Sequence, residues 1–167
     1  MSTLSPAEHL LFPLVAGETR LVIPLEETVL SAALKPAFDR SQRLIVFVHG
    51  AASNASRWEE FVDTTALSQR WTLVRFDLRG HGASPARRPG RLENYADDIA
   101  AVIGASGVHG PIVVVGHSLG AAAALVFAKR FPRIVNGLVL IDPLLEGCLT
   151  REALCMRRRA PLLHLME

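Results

Sequence analysis

Residues 112–122 read Ile112-Val113-Val114-Val115-Gly116-His117-Ser118-Leu119-Gly120-Ala121-Ala122. The four β-branched residues run without polar interruption, which predicts a strand buried on both faces. Residues 119–130 are rich in alanine and are stopped by Phe131-Pro132, which predicts a helix. The pattern Gly-x-Ser-x-Gly at that junction predicts a sharp turn in which Ser118 adopts a strained backbone and exposes its hydroxyl. Gly116 and Gly120 permit the close backbone approach such a turn requires. Where the chain enters the helix, the first N–H groups, including that of Leu119, lack intrahelical partners and face any developing negative charge.

The surrounding sequence repeats this strand-to-helix logic. Leu44-Ile45-Val46-Phe47-Val48 predicts a central strand. Residues 56–67 carry Trp58, Phe61 and Val62 at helical spacing, and the apolar run 71–76 follows as a further strand. Tyr95, Ile99, Val102 and Ile103 predict one face of another helix, and residues 137–141 another strand. Upstream, 21–24 and 29–35 predict an early strand pair at a sheet edge. The alternation implies an α/β fold, a mostly parallel sheet with helices on both faces and active groups at the carboxyl ends of the strands. Residues 1–19, with Pro6, Pro13 and Gly17, predict an N-terminal arm with little structure of its own. Residues 20–145 form the expected core.

Composition narrows the function classes. The chain has 167 residues, of which 50% are hydrophobic and 20% charged, with mean hydropathy +0.28, so apolar material for a core is ample. The 18 basic and 16 acidic residues nearly balance, which gives no electrostatic footprint for nucleic acid. Cys148 and Cys155, the two cysteines, make neither a disulfide framework nor a four-ligand metal spacing. No apolar run approaches the roughly 20 residues that span a bilayer, and residues 10–16 lack the basic flank of a signal peptide. A soluble cytoplasmic protein without metal or organic cofactor is the expectation.

With the strand-to-helix turn in place, the chain resembles the α/β-hydrolase superfamily over about residues 20–145, in its serine-nucleophile branch. Three other segments carry the resemblance. His49-Gly50-Ala51-Ala52 follows the 44–48 strand, where the family's loop supplies an oxyanion-hole donor. Asp77-Leu78-Arg79-Gly80-His81-Gly82-Ala83-Ser84 looks like its Asp-x-Arg-Gly-x-Gly-x-Ser turn. Ile141-Asp142-Pro143 is similar to the end of the strand after the nucleophile helix. The resemblance implies Ser118 as nucleophile, Ala51 and Leu119 N–H as oxyanion donors, and a carboxylic ester or similar small acyl substrate. A serine rather than an aspartate at the nucleophile position argues against the epoxide-hydrolase and dehalogenase branches.

A serine hydroxyl needs an imidazole, itself oriented by a carboxylate, to attack at neutral pH. Here the family order of serine, acid, histidine runs short, because residues 142–167 cannot hold two further strands with their connecting helices. Asp142 is the candidate acid, with a turn or helix cap before Pro143 as its structural alternative. Glu146 is a weaker candidate. His164 is the one histidine after Ser118, and an ordinary terminal helix face accounts for it. His49 and His117 fit structural positions of the family motifs, and His81 and His109 fit loops. Residues 146–167, with Arg157-Arg158-Arg159 among leucines, predict the start of a cap helix; a membrane-surface helix is the competing reading. Two functions follow from these residues, a serine esterase or a non-catalytic truncated hydrolase. A truncated chain of the second kind would leave the strand at 137–141 as an unpaired edge that invites self-association.

Overall fold

The computed structural model describes residues 11–86, 90–143 and 163–166. Strand β1 (Thr19–Pro24) pairs antiparallel with β2 (Val29–Lys35), whose other side pairs antiparallel with β4 (Thr72–Phe76). From there the sheet is parallel: β4 lies beside β3 (Leu44–Val48), followed by β5 (Ile112–His117), β6 (Gly137–Ile141) and β7 (Leu163–Met166). The order β1-β2-β4-β3-β5-β6-β7 agrees with the expected mostly parallel sheet covered by helices.

Every residue of β3 is buried, and its alternating side chains separate two cores. Leu44, Val46 and Val48 face helices α2 (Leu92–Ser106) and α3 (Leu119–Arg130), packing with Ile99, Val102 and Phe127. Ile45 and Phe47 face the short helix α1 (Glu59–Thr64), where they meet Trp58 and Val62. Phe47 holds Trp58 and Phe61 at centroid distances of 5.2 and 5.5 Å. Those spacings and tilts are favourable aromatic geometry.

Several sequence expectations need correction. Strand β5 is fully covered on the α3 side, but Val113 and Val115 on the α1 side are half-buried, because α1 is only six residues long. The helix expected over 56–67 is split into a 3-10 turn (Ala55–Trp58), α1 and a second 3-10 turn (Ala66–Gln69). Thr65 breaks it with an extended backbone at ψ 136°, its hydroxyl accepting the Leu67 N–H at 3.3 Å. At the other end of the chain, residues 163–166 form a strand rather than a helix face, and β6 is paired rather than left at an edge. The remainder of the 146–167 cap expectation, Glu146 included, lies outside the described residues.

The N-terminal arm is also more ordered than its composition suggests. Phe12 is buried against Ala33 and Ala55. Glu18 forms an ion pair of 2.7 Å with Arg75 on β4, both side chains being fully buried. Arg75 donates further to the carbonyls of Pro13 (2.6 Å) and Ala55 (3.2 Å). The guanidinium carbons of Arg20 and Arg75 lie 4.8 and 4.9 Å from the Phe12 ring centre, within cation–π range. Long-range side-chain partners thus order residues 12–18 where no local periodicity does.

Candidate active site

Ser118 joins β5 to α3 with φ 52° and ψ −113°. A positive φ on a non-glycine residue is sparsely populated and persists only where the surroundings enforce it. Two sets of backbone bonds enforce it here. The Ser118 N–H donates to the Ile141 carbonyl at 2.9 Å, tying the turn to the end of β6, while the Ser118 carbonyl accepts from Ala121 and Ala122 N–H at 3.0 and 3.2 Å. The two glycines are needed for packing. A methyl group at Gly116 would lie 2.6 Å from Ala121 N, and one at Gly120 would lie 2.6 Å from the His49 carbonyl. Both are backbone atoms that have nowhere to retreat.

The loop after β3 lies against this turn. A methyl group built on Gly50 would sit 3.3 Å from Ser118 Cβ and 3.0 Å from His117 Nδ1. Ala51 therefore follows a residue whose backbone is in near contact with Ser118, while Leu119 is the first residue of α3. Asp142 comes directly after the Ile141 carbonyl that holds Ser118, and it too has positive φ, 45°.

Histidines hold the loop. The Leu78 N–H donates to His49 Nε2 at 3.0 Å, so the ring proton must reside on Nδ1, which donates to the Gly50 carbonyl at 2.7 Å. Burial pushes His49 down to about 4, outweighing the Gly50 bond that acts the other way, and the nearby His81 charge lowers it further. His81 Nε2 lies 2.7 Å from the Ala51 carbonyl.

The turn after β4 is stapled by two buried carboxylates. Asp77 accepts from Ala55 N–H (2.7 Å) and Ala83 N–H (2.8 Å). Burial raises its pKa, and those two bonds oppose the rise. Asp98 on α2 takes the Arg79 guanidinium at 2.6 Å and the Arg79 N–H at 3.2 Å. Burial likewise raises the Asp98 pKa, against the pull of Arg79.

A cavity of about 360 Å³ opens beside His117 and Ile141, bounded also by Trp58 and Phe61. Trp58 Nε1 and His117 Nδ1 are buried without a hydrogen-bond partner among the described residues.

A family model described as the alpha/beta hydrolase fold matches residues 43–158. The chain belongs to the α/β-hydrolase fold family. Over 100 residues this α/β hydrolase is 40% identical to the 2-(acetamidomethylene)succinate hydrolase of Mesorhizobium japonicum, covering 59% of the chain and 35% of that protein. It is 34% identical over 110 residues to the lipase LipV of Mycobacterium tuberculosis, covering 65% and 41%. The crystal structure of E-2-(acetamidomethylene)succinate hydrolase superposes with TM-score 0.65 at 33% identity, covering 75% of this chain and 44% of that chain.

 The chain spans less than half the length of the curated relatives it matches.

The fold brings Ser118, Leu119, Gly116, Gly120, Ala51 and Asp142 to one end of the sheet, at the carboxyl ends of β3, β5 and β6. His164 lies in β7, in register with Val139. His109 belongs to the opposite end, beside the start of β5. Sequence reading assigned His49 a structural place and His81 an ordinary loop, and missed that both bond carbonyls of the loop carrying Ala51. The motif spacing held the only clue, since the partners are backbone atoms far away in sequence. Among the described residues no helix is long and apolar enough to cross a membrane.

Proposed function

We propose that this α/β hydrolase chain carries the nucleophile end of a serine hydrolase acting on a carboxylic ester or a similar small acyl substrate. The observation that carries the reading is the enforced positive φ of Ser118 between β5 and α3, with the Gly50–Ala51 loop packed against it. Strain at a turn that exposes a hydroxyl is retained where it serves chemistry. Ser118 Oγ attacks the substrate carbonyl carbon, its proton passing to a general base, and the carbonyl π electrons move onto oxygen. The Ala51 and Leu119 N–H groups stabilise that oxyanion, each donor being worth about 3 kcal/mol on the usual mutational scale. Collapse expels the alcohol, which takes up the proton, and water then repeats the sequence to release the acid. Asp142 is the candidate acid for orienting the base. The names of the relatives, a hydrolase of an acylated succinate derivative and a lipase, support this class of substrate.

One observation favours a second reading. Among the described residues no imidazole hydrogen-bonds the Ser118 hydroxyl, so the chain could hold the fold and the turn without turning over substrate. Incubating the purified 167-residue chain with a fluorophosphonate and with a p-nitrophenyl ester separates the two. Labelling at Ser118 with ester turnover, both abolished by Ser118→Ala, is the expected result. A folded chain that neither labels nor turns over overturns the first reading in favour of the second.

A further inference from the structure

Ala51 is held from both sides by imidazoles. The trans peptide joining Gly50 to Ala51 points its C=O and its N–H in opposite directions. The His49 ring takes the Gly50 carbonyl at 2.7 Å, so the Ala51 N–H must leave on the side away from His49. The next peptide plane is fixed by His81, whose Nε2 lies 2.7 Å from the Ala51 carbonyl. Between them the two rings set both backbone dihedrals of Ala51.

The two histidines differ in an instructive way. His49 is fully buried, accepts from Leu78 N–H and donates to Gly50, so one proton satisfies it. His81 is half-buried and faces two acceptors, the Ala51 carbonyl through Nε2 and the Arg79 carbonyl at 3.2 Å from Nδ1. A singly protonated ring can donate to only one carbonyl, and an imidazolium can donate to both.

We propose that His81 is a positioning residue of the hydrolytic site: its Nε2–H bond to the Ala51 carbonyl aims the Ala51 N–H at the substrate oxyanion. The proposal rests on the reading of Ser118 as nucleophile and Ala51 as oxyanion donor. It goes further in making a residue of the 77–84 turn, 30 positions away in sequence, a determinant of that donor's aim.

Two rings pack against His81: that of His49, just after β3, stacks edge-on at 5.1 Å, and from α2 the Tyr95 ring lies at 6.3 Å. At the head of its own turn stands Asp77, which interacts electrostatically with His81. The Arg79 guanidinium is taken by Asp98.

The test uses the 167-residue chain and its His81→Phe and His81→Gln variants. Three quantities are followed: the rate of Ser118 labelling by a fluorophosphonate, the Ala51 amide resonance, and the melting temperature. Phenylalanine keeps the ring packing and loses the donor, whereas the glutamine amide can still donate to the Ala51 carbonyl. We expect His81→Phe to slow labelling roughly 10- to 100-fold, less than or equal to the loss of a whole donor. His81→Gln should recover most of that rate. The Ala51 amide resonance should shift in His81→Phe and return toward its wild-type position in His81→Gln. Wild-type labelling rates in His81→Phe overturn the proposal. So do equal losses in both variants that track their melting temperatures, because those would report stability alone. If wild type itself fails to label, the reading of Ser118 fails, and the amide decides the clamp separately: an Ala51 resonance indifferent to His81 overturns it, and one that follows His81 upholds it.

Discussion

Replacing Glu18 with alanine removes the carboxylate that neutralises Arg75, whose side chain is fully buried. The guanidinium keeps two carbonyl acceptors, Pro13 and Ala55, and one distant carboxylate, Glu59 at 3.8 Å, which is itself 38% exposed. Removing one partner of a buried pair typically destabilises by about 3 to 5 kcal/mol. The remaining acceptors put this case at the lower end, about 3 kcal/mol. In urea, with a slope of about 2 kcal/mol per M, the unfolding midpoint should fall by about 1.5 M. The double replacement Glu18→Leu with Arg75→Met removes both charges at similar volume and should restore most of the loss, since apolar replacement of a buried pair is often neutral. The damage should reach Ala55, whose carbonyl Arg75 holds and whose N–H Asp77 holds, and should speed proteolysis of the arm before Thr19. A midpoint shift below about 0.3 M for Glu18→Ala would place the pair with surface ion pairs and refute the argument.

Three further outcomes are expected. Ser118→Gly should be more stable than Ser118→Ala by about 1 kcal/mol, because glycine accepts the positive φ that alanine cannot, and equal melting temperatures would count against strain at the turn. Gly120→Ala should destabilise by about 3 kcal/mol, because its methyl group meets the backbone of Val48 and His49; chemical denaturation measures this, and a loss under 1 kcal/mol would contradict the close approach. His49 binds a proton less readily folded, at about 4, than unfolded, at 6.5, so the folded state should lose up to about 3 kcal/mol as pH falls through that interval. Asp77 and Asp98, raised by burial, act in the opposite sense, so the difference between wild type and His49→Gln isolates the histidine; identical acid limbs would refute its buried neutral state.

Much of the fold was legible because its signals are local. Residues 137–141 needed only their own apolar run, and the turn at Ser118 needed only two glycines between a strand pattern and a helix pattern. The break at Thr65 was not legible, since nothing in its neighbours forbids another helical turn. Nor was the strand at 163–166, whose leucines suit a helix face equally well until β6 offers a ladder. At the candidate site the motif residues were legible, but the carbonyls that His49 and His81 hold were not. Backbone acceptors leave no trace in side-chain patterns, and the same is true of the Pro13 carbonyl that anchors the arm to Arg75.

The strand order also governs how the chain emerges during synthesis. The apolar segment Leu44–Val48 finds its two neighbours only later, in Thr72–Phe76 and Ile112–His117. At about 5 to 20 residues per second, the interval from Val48 to His117 lasts about 3 to 14 s. For that time a strand that ends up buried at every residue is exposed to other nascent chains. It is where a chaperone that reads extended apolar sequence would bind, and where a charged substitution would do the most harm to yield.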